Sequence, residues 1–184
     1  INYYMKKNYI RNFDDKQKLF LNRGYYIFDI TEKKLINKIK NQIKKKVSNE
    51  FKIKKNLDLN LFHKYCDVRD LNKVRLNLIN FINKENKFEK DYFNICKNEL
   101  FKIIGNEIAI QNEISLSIQL PKDKSSLLPM HADTWSGNSP FEIVVWIPLV
   151  DCYKTKSMFI LDKNYLSKFN QEFRKPKMSS DKIF

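Results

Sequence analysis

Residues 126–151 read SLLPMHADTWSGNSPFEIVVWIPLVD, and the expected fold and chemistry of the chain both turn on this stretch. His131 and Asp133 stand two positions apart, followed by a turn signal at Gly137-Asn138-Ser139-Pro140 and a β-rich apolar run. On an extended strand, residues i and i+2 share a face. An imidazole and a carboxylate placed this way aim at a common point, as two ligands of one metal ion do. Two histidines and one carboxylate on one octahedral face form the site of non-haem Fe(II) oxygenases. No histidine follows His131 in the chain, so the pair offers two of those three ligands.

Working outward, a second regime of the chain reads as β. Ile114, Leu116, Ile118 and Leu120 alternate with Ser115, Ser117 and Gln119, the pattern of a half-buried strand. Pro121-Lys122-Asp123-Lys124 ends it. Met130–Asp133 is expected as a short strand, Phe141–Leu149 as a strong one ending near Pro148, and Ser157–Leu161 as another.

The first regime is helical and ends near Gly105. Gly24–Phe28 reads as a short strand. Asp29 or Thr31 then caps a helix with Leu35, Ile36, Ile39, Ile43 and Val47 on one stripe and lysines opposite. A second helix is expected from about Asp70, burying Leu71, Val74, Leu78 and Ile82. A third uses Phe88, Tyr92, Ile95 or Cys96, and Ile103, with Gly105 as its terminating residue. Residues 50–70 carry only a weak pattern. No repeat or long linker interrupts the chain, so a single domain over 1–184 is expected, mainly helical in 1–105 and β in 106–184.

Composition narrows the partners. The formal charge is +14, but 30 of the 35 basic residues are lysine; the arginines are Arg11, Arg23, Arg69, Arg75 and Arg174. Base and phosphate recognition favours arginine, so solvated lysines are expected and nucleic acid is not. The excess is +12 over residues 1–110 and +2 over 111–184, away from His131 and Asp133. Cys66, Cys96 and Cys152 are odd in number and lack metal-ligand spacing, which points to free thiols. No apolar run nears the roughly 18 residues of a membrane span, and no signal peptide opens the chain. No membrane partner and a cytoplasmic location are therefore expected. Ile1 in place of methionine, and an ordinary-looking end at Phe184, suggest a piece of a longer protein.

The serine-and-glutamine strand, His-X-Asp and Trp-Ile-Pro-Leu-Val-Asp resemble the phytanoyl-CoA dioxygenase-like branch of Fe(II)/2-oxoglutarate oxygenases. Residues 126–151 are closer still to 2-oxoglutarate oxygenases of sporadic bacterial carbohydrate-biosynthesis clusters, in which a segment similar to HADTWSGNSPFEIVVWIPLVDCYKTKSMFIL recurs. The likeness is specific over 114–161 and general in outline over 24–105. It implies an α+β fold: a helical N-terminal half on a double-stranded β-helix, the jelly-roll related to cupins. The β-helix would be incomplete at the C-terminal end of this chain.

The resemblance further implies Fe(II) held by His131 and Asp133, with 2-oxoglutarate near Trp146 and polar contacts from Ser117 and Gln119. It implies oxidation, by O2, of a small carbohydrate substrate, a sugar or nucleotide-sugar. The family's later histidine and its 2-oxoglutarate-binding arginine have no counterpart at the matching positions; Arg174 is the one arginine after residue 110. Two other functions stay open: a jelly-roll binding or scaffold remnant without a complete metal site, and a basic nucleic-acid binder. Plain structural roles compete too. Ser117 and Gln119 suit the polar face of a strand, Trp146 suits a core, and His63 suits a packed or surface position. Trp135 either closes over the metal or packs beneath the turn. Lys122, Lys124, Lys154 and Lys156 are expected to be solvated, though placed to meet an anionic substrate.

Overall fold

Three apolar stripes spaced at helical intervals build the core, and the computed structural model shows them packed together. It describes residues 14–84 and 87–173; Arg11 and Arg174 lie outside these. The helices are α1 (Asp15–Arg23), α2 (Lys33–Glu50), α3 (Val68–Asn83), α4 (Lys87–Ile104) and α5 (Leu166–Phe173). Short 3-10 turns cover Leu59–Lys64, Asp133–Ser136, Lys154–Lys156 and Lys163–Tyr165. α4 is the hub, packing against α1, α2 and α3.

The stripes fall where the periodicity places them. α2 buries Ile36, Ile39, Ile43 and Val47. α3 buries Leu71, Val74, Leu78 and Ile82. From α4, Phe88, Ile95 and Cys96 are buried. Each such side chain contributes about 1.5–3 kcal/mol relative to an exposed one. The caps are placed differently. α3 begins after Asp67, whose carboxylate accepts from the Arg69 backbone N–H, three residues before the expected Asp70. α2 follows Glu32, which makes no side-chain cap, instead of Asp29 or Thr31. α4 ends at Gly105, whose φ of +88° supplies the left-handed turn expected of it.

The expected double-stranded β-helix is absent: no strand occurs among the described residues, and 24–28 and 130–133 are not strands either. Among those residues, no backbone–backbone hydrogen bond outside the helices joins positions more than five apart. A sheet requires such long-range ladders. The alternation over 114–120 marks which side of the segment is covered and not a strand pairing. The expected strand at Ser157–Leu161 is neither paired nor covered, being exposed throughout. Ile114, Leu116, Ile118, Ile147, Leu149 and Val150 lie against the helical core, with Ser115, Ser117 and Gln119 outward.

Side chains of the helical layer pin these extended segments where ladders would otherwise hold them. Asn83 donates to the Ile114 carbonyl at 3.1 Å and accepts from its N–H at 2.8 Å. The Tyr92 hydroxyl donates to the Val145 carbonyl. Asn60 and Asp151 exchange two bonds, at 3.1 and 2.9 Å. One apolar cluster thus runs from α2 through Leu120 to Val150.

Two outcomes follow from this core. Leu78→Ala should lower unfolding free energy by about 2–5 kcal/mol in denaturant titration, whereas Leu76→Ala, on the exposed side of α3, should change it by about 0.5 kcal/mol or less. Equal effects would contradict the packing. Burial pushes the Tyr92 phenol up to about 12 from an ordinary 10. The unfolded chain therefore loses that proton first as pH rises. Stability credited to Tyr92 is full below pH 10 and falls by about 2–3 kcal/mol between pH 10 and 12. Tyr92→Phe should show a correspondingly shallower fall over that window, and an unchanged slope would refute the assignment.

Candidate functional site

His131 and Asp133 converge, although not on a strand. Ala132 between them is extended, at φ −117° and ψ 136°, and Asp133 then opens the 3-10 turn to Ser136. A single extended residue is enough to put its two neighbours on one side. Gly137 closes the turn at φ +92°, a conformation that a Cβ would strain, and its N–H is donated to the Asp133 and Thr134 carbonyls. The sequence places a turn at this point, as observed.

The two side chains meet with His131 Nε2 3.6 Å from an Asp133 carboxylate oxygen. His131 Nδ1 lies 2.7 Å from the Pro129 carbonyl oxygen. A carbonyl can only accept, so Nδ1 carries the hydrogen. In the neutral ring that leaves Nε2 as a bare lone pair, facing the carboxylate. Metal-bound histidines are oriented in this manner, the second ring nitrogen donating to a carbonyl or carboxylate. Side chains 46% and 50% exposed leave the pair open to solvent and to small ions.

The donor set suits a divalent cation. Imidazole nitrogen and carboxylate oxygen both bind such ions at roughly 2.0–2.2 Å. Two donors at that range, at right angles about one ion, stand about 3.0 Å apart. The observed 3.6 Å is longer than that separation by about half an ångström. Among the described residues no group of three or more His, Cys, Asp or Glu side chains gathers to hold a metal, so the pair contributes two ligands.

The other expected site residues stand apart from this pair. Ser117 and Gln119 face outward on the 114–120 segment, and Gln119 donates to the Ser126 carbonyl at 3.4 Å. Trp146 faces outward beside Val145, the residue held by Tyr92, and is about half exposed. No hydrogen bond, ion pair or ring contact joins Ser117, Gln119 or Trp146 to His131 or Asp133. Trp135, on the same turn as Asp133, is exposed.

His63 lines a shallow groove of about 410 Å³ with Lys64, Cys66, Asp67, Leu120 and Pro121. Burial pushes the Cys66 thiol up, and Asp70, Asp67 and Glu50 add to that, so the thiol is held in its unreactive protonated form. The contribution that sequence reasoning missed is the Pro129 carbonyl, because no side chain announces which way a backbone oxygen points.

Comparisons with protein-family models, curated proteins and solved structures find no match for the chain.

The carbonyl contact makes a claim about proton position. In the metal-free protein with a neutral ring, nitrogen chemical shifts should show His131 chiefly as the Nδ1–H tautomer. A dominant Nε2–H tautomer would contradict the contact with Pro129.

Proposed function

We propose that the His131–Asp133 pair holds Fe(II) and that the protein is a 2-oxoglutarate-dependent oxygenase acting on a carbohydrate or carbohydrate precursor. One observation carries the metal part: a lone pair fixed by the Pro129 carbonyl converges with a carboxylate across 3.6 Å. The reaction class and the substrate class rest on the resemblance of residues 114–161 to oxygenases of carbohydrate clusters. The β-helix that the resemblance also implied does not occur among the described residues, so the reading stands on the pair and its flanking sequence without a jelly-roll.

Each residue has a limited task. His131 supplies a neutral nitrogen donor, and the Pro129 carbonyl keeps its ring from rotating away. Asp133 supplies negative charge, which favours a ferrous ion over water alone. The turn closed by Gly137 holds the carboxylate at its distance from the ring. Iron, when bound with 2-oxoglutarate and O2, supplies the oxidising power, and the protein's share is orientation. Trp146, Ser117 and Gln119 keep their proposed place near 2-oxoglutarate only if the 114–120 and 143–147 segments approach the pair on binding.

Anaerobic titration of the full chain with Fe(II), or with Co(II) as a stable substitute, tests the metal part. One ion should bind per chain. His131→Ala and Asp133→Ala should each weaken it by about tenfold or more, the scale on which coordination-shell changes act. Equal, weak uptake by the parent and both variants favours the binding-remnant reading. Succinate released from 2-oxoglutarate with candidate sugars tests the reaction, and metal uptake without succinate would leave a metal-binding protein of another activity.

A further inference from the structure

Helix α2 carries its charge against the physics of its own backbone. Residues 33–55 hold ten lysines and one acid, Glu50. Glu50 is turned inward and accepts from Asn77. Lys33 and Lys34 occupy the first turn, where the helix dipole is positive; the acid beside them is Glu32 at the N-cap position, which makes no side-chain cap. Lys34–Lys38 and Lys40–Lys44 are like-charge pairs at i,i+4, a spacing that destabilises a helix. Neighbouring acids offer little relief. Asp91 on α4 is engaged by Lys38, and Glu99 by Lys16 and Lys102. Lys33, Lys34, Lys40, Lys44 and Lys45 have no carboxylate partner among the described residues. The ridge is about 27 Å long at 1.5 Å per residue, and Lys52, Lys54 and Lys55 continue it, exposed, beyond the helix end.

We propose that this outer ridge of α2 docks an acidic polysaccharide, a polymer bearing both carboxylate and hydroxyl groups. Complementary charge requires an anionic partner of some length, since the field is spread along the helix instead of being gathered at a point. The residues between the lysines select its kind. Asn37 and Asn41 are exposed on the same ridge and offer amide donors and acceptors to hydroxyls. The ridge has no arginine for bidentate phosphate pairing, and its neighbouring aromatic rings, Phe51 and Phe81, are packed against the core instead of presented for a base to stack on. The proposal concerns a surface separate from His131 and Asp133 and does not depend on their function.

Binding of the full chain to fluorescent polygalacturonate tests it, with neutral dextran and duplex DNA of equal total charge as comparators. Polygalacturonate should bind and weaken by about tenfold or more between roughly 50 and 200 mM salt as the charges are screened. Dextran should not bind, and DNA should bind more weakly. Lys34→Gln/Lys40→Gln/Lys45→Gln should weaken polygalacturonate binding by about tenfold while holding or raising Tm, because like-charge repulsion is relieved. Lys73→Gln/Lys84→Gln/Lys168→Gln removes equal charge at exposed positions elsewhere and should leave binding within about twofold, as distant exposed charges are screened. No binding of polygalacturonate, DNA binding as tight or tighter, or equal losses in the two triple variants would each overturn the proposal.

Discussion

The apolar seam between α4 and its neighbours α2 and α3 is the constraint on which the rest of the structure depends. Among the described residues the buried apolar side chains gather there: Val47, Leu78 and Ile95, one from each helix, are buried in a single cluster. The 106–161 region contributes little core of its own. Leu120 is its buried apolar residue, and its other inward side chains rest on the helices without being enclosed. If the seam is weakened, the extended segments lose the floor they lie on. The outward residues of those segments include Phe141 and Phe159, each close to fully exposed.

Extended backbone that is not in a sheet must satisfy its polar groups in another way. Here the helical layer supplies some of the partners from side chains, through Asn83, Tyr92 and the Asn60–Asp151 exchange. These contacts are few and each fixes a single point, whereas a ladder fixes a whole strand. The same economy recurs near His131. One carbonyl sets the imidazole, one extended residue sets the direction of the carboxylate, and one glycine closes the turn. Asp123, ahead of this region, is held similarly. It accepts from the Ser125 and Ser126 hydroxyls, which keep its carboxyl below the usual range.

The helices were legible because their signal is internal to each segment. The periods of α2 and α3 name their own buried residues, and Gly105 marks an end that only a left-handed residue makes easily. α1 escaped notice because it buries none of its residues, although the Asp14–Gln17 capping box that starts it was present to be read. The β expectation failed for a complementary reason. Alternation at period two reports which side of an extended segment is covered, but not whether a second segment lies beside it. Ile114, Leu116 and Ile118 alternate because a helical layer lies beneath them, with no ladder alongside. His131 and Asp133 were legible as a pair through their spacing. The Pro129 carbonyl that orients the ring depends on backbone direction, which residue identity does not encode.

The central claim is that an imidazole and a carboxylate two residues apart grip one ion. Diffraction from Co(II)-soaked crystals at the cobalt absorption edge locates that ion directly. The account expects a single anomalous peak within roughly 2.2 Å of both His131 Nε2 and an Asp133 carboxylate oxygen, with Nδ1 still on the Pro129 carbonyl. A peak bound to only one of the two side chains, or no peak beside them at saturating cobalt, would contradict it.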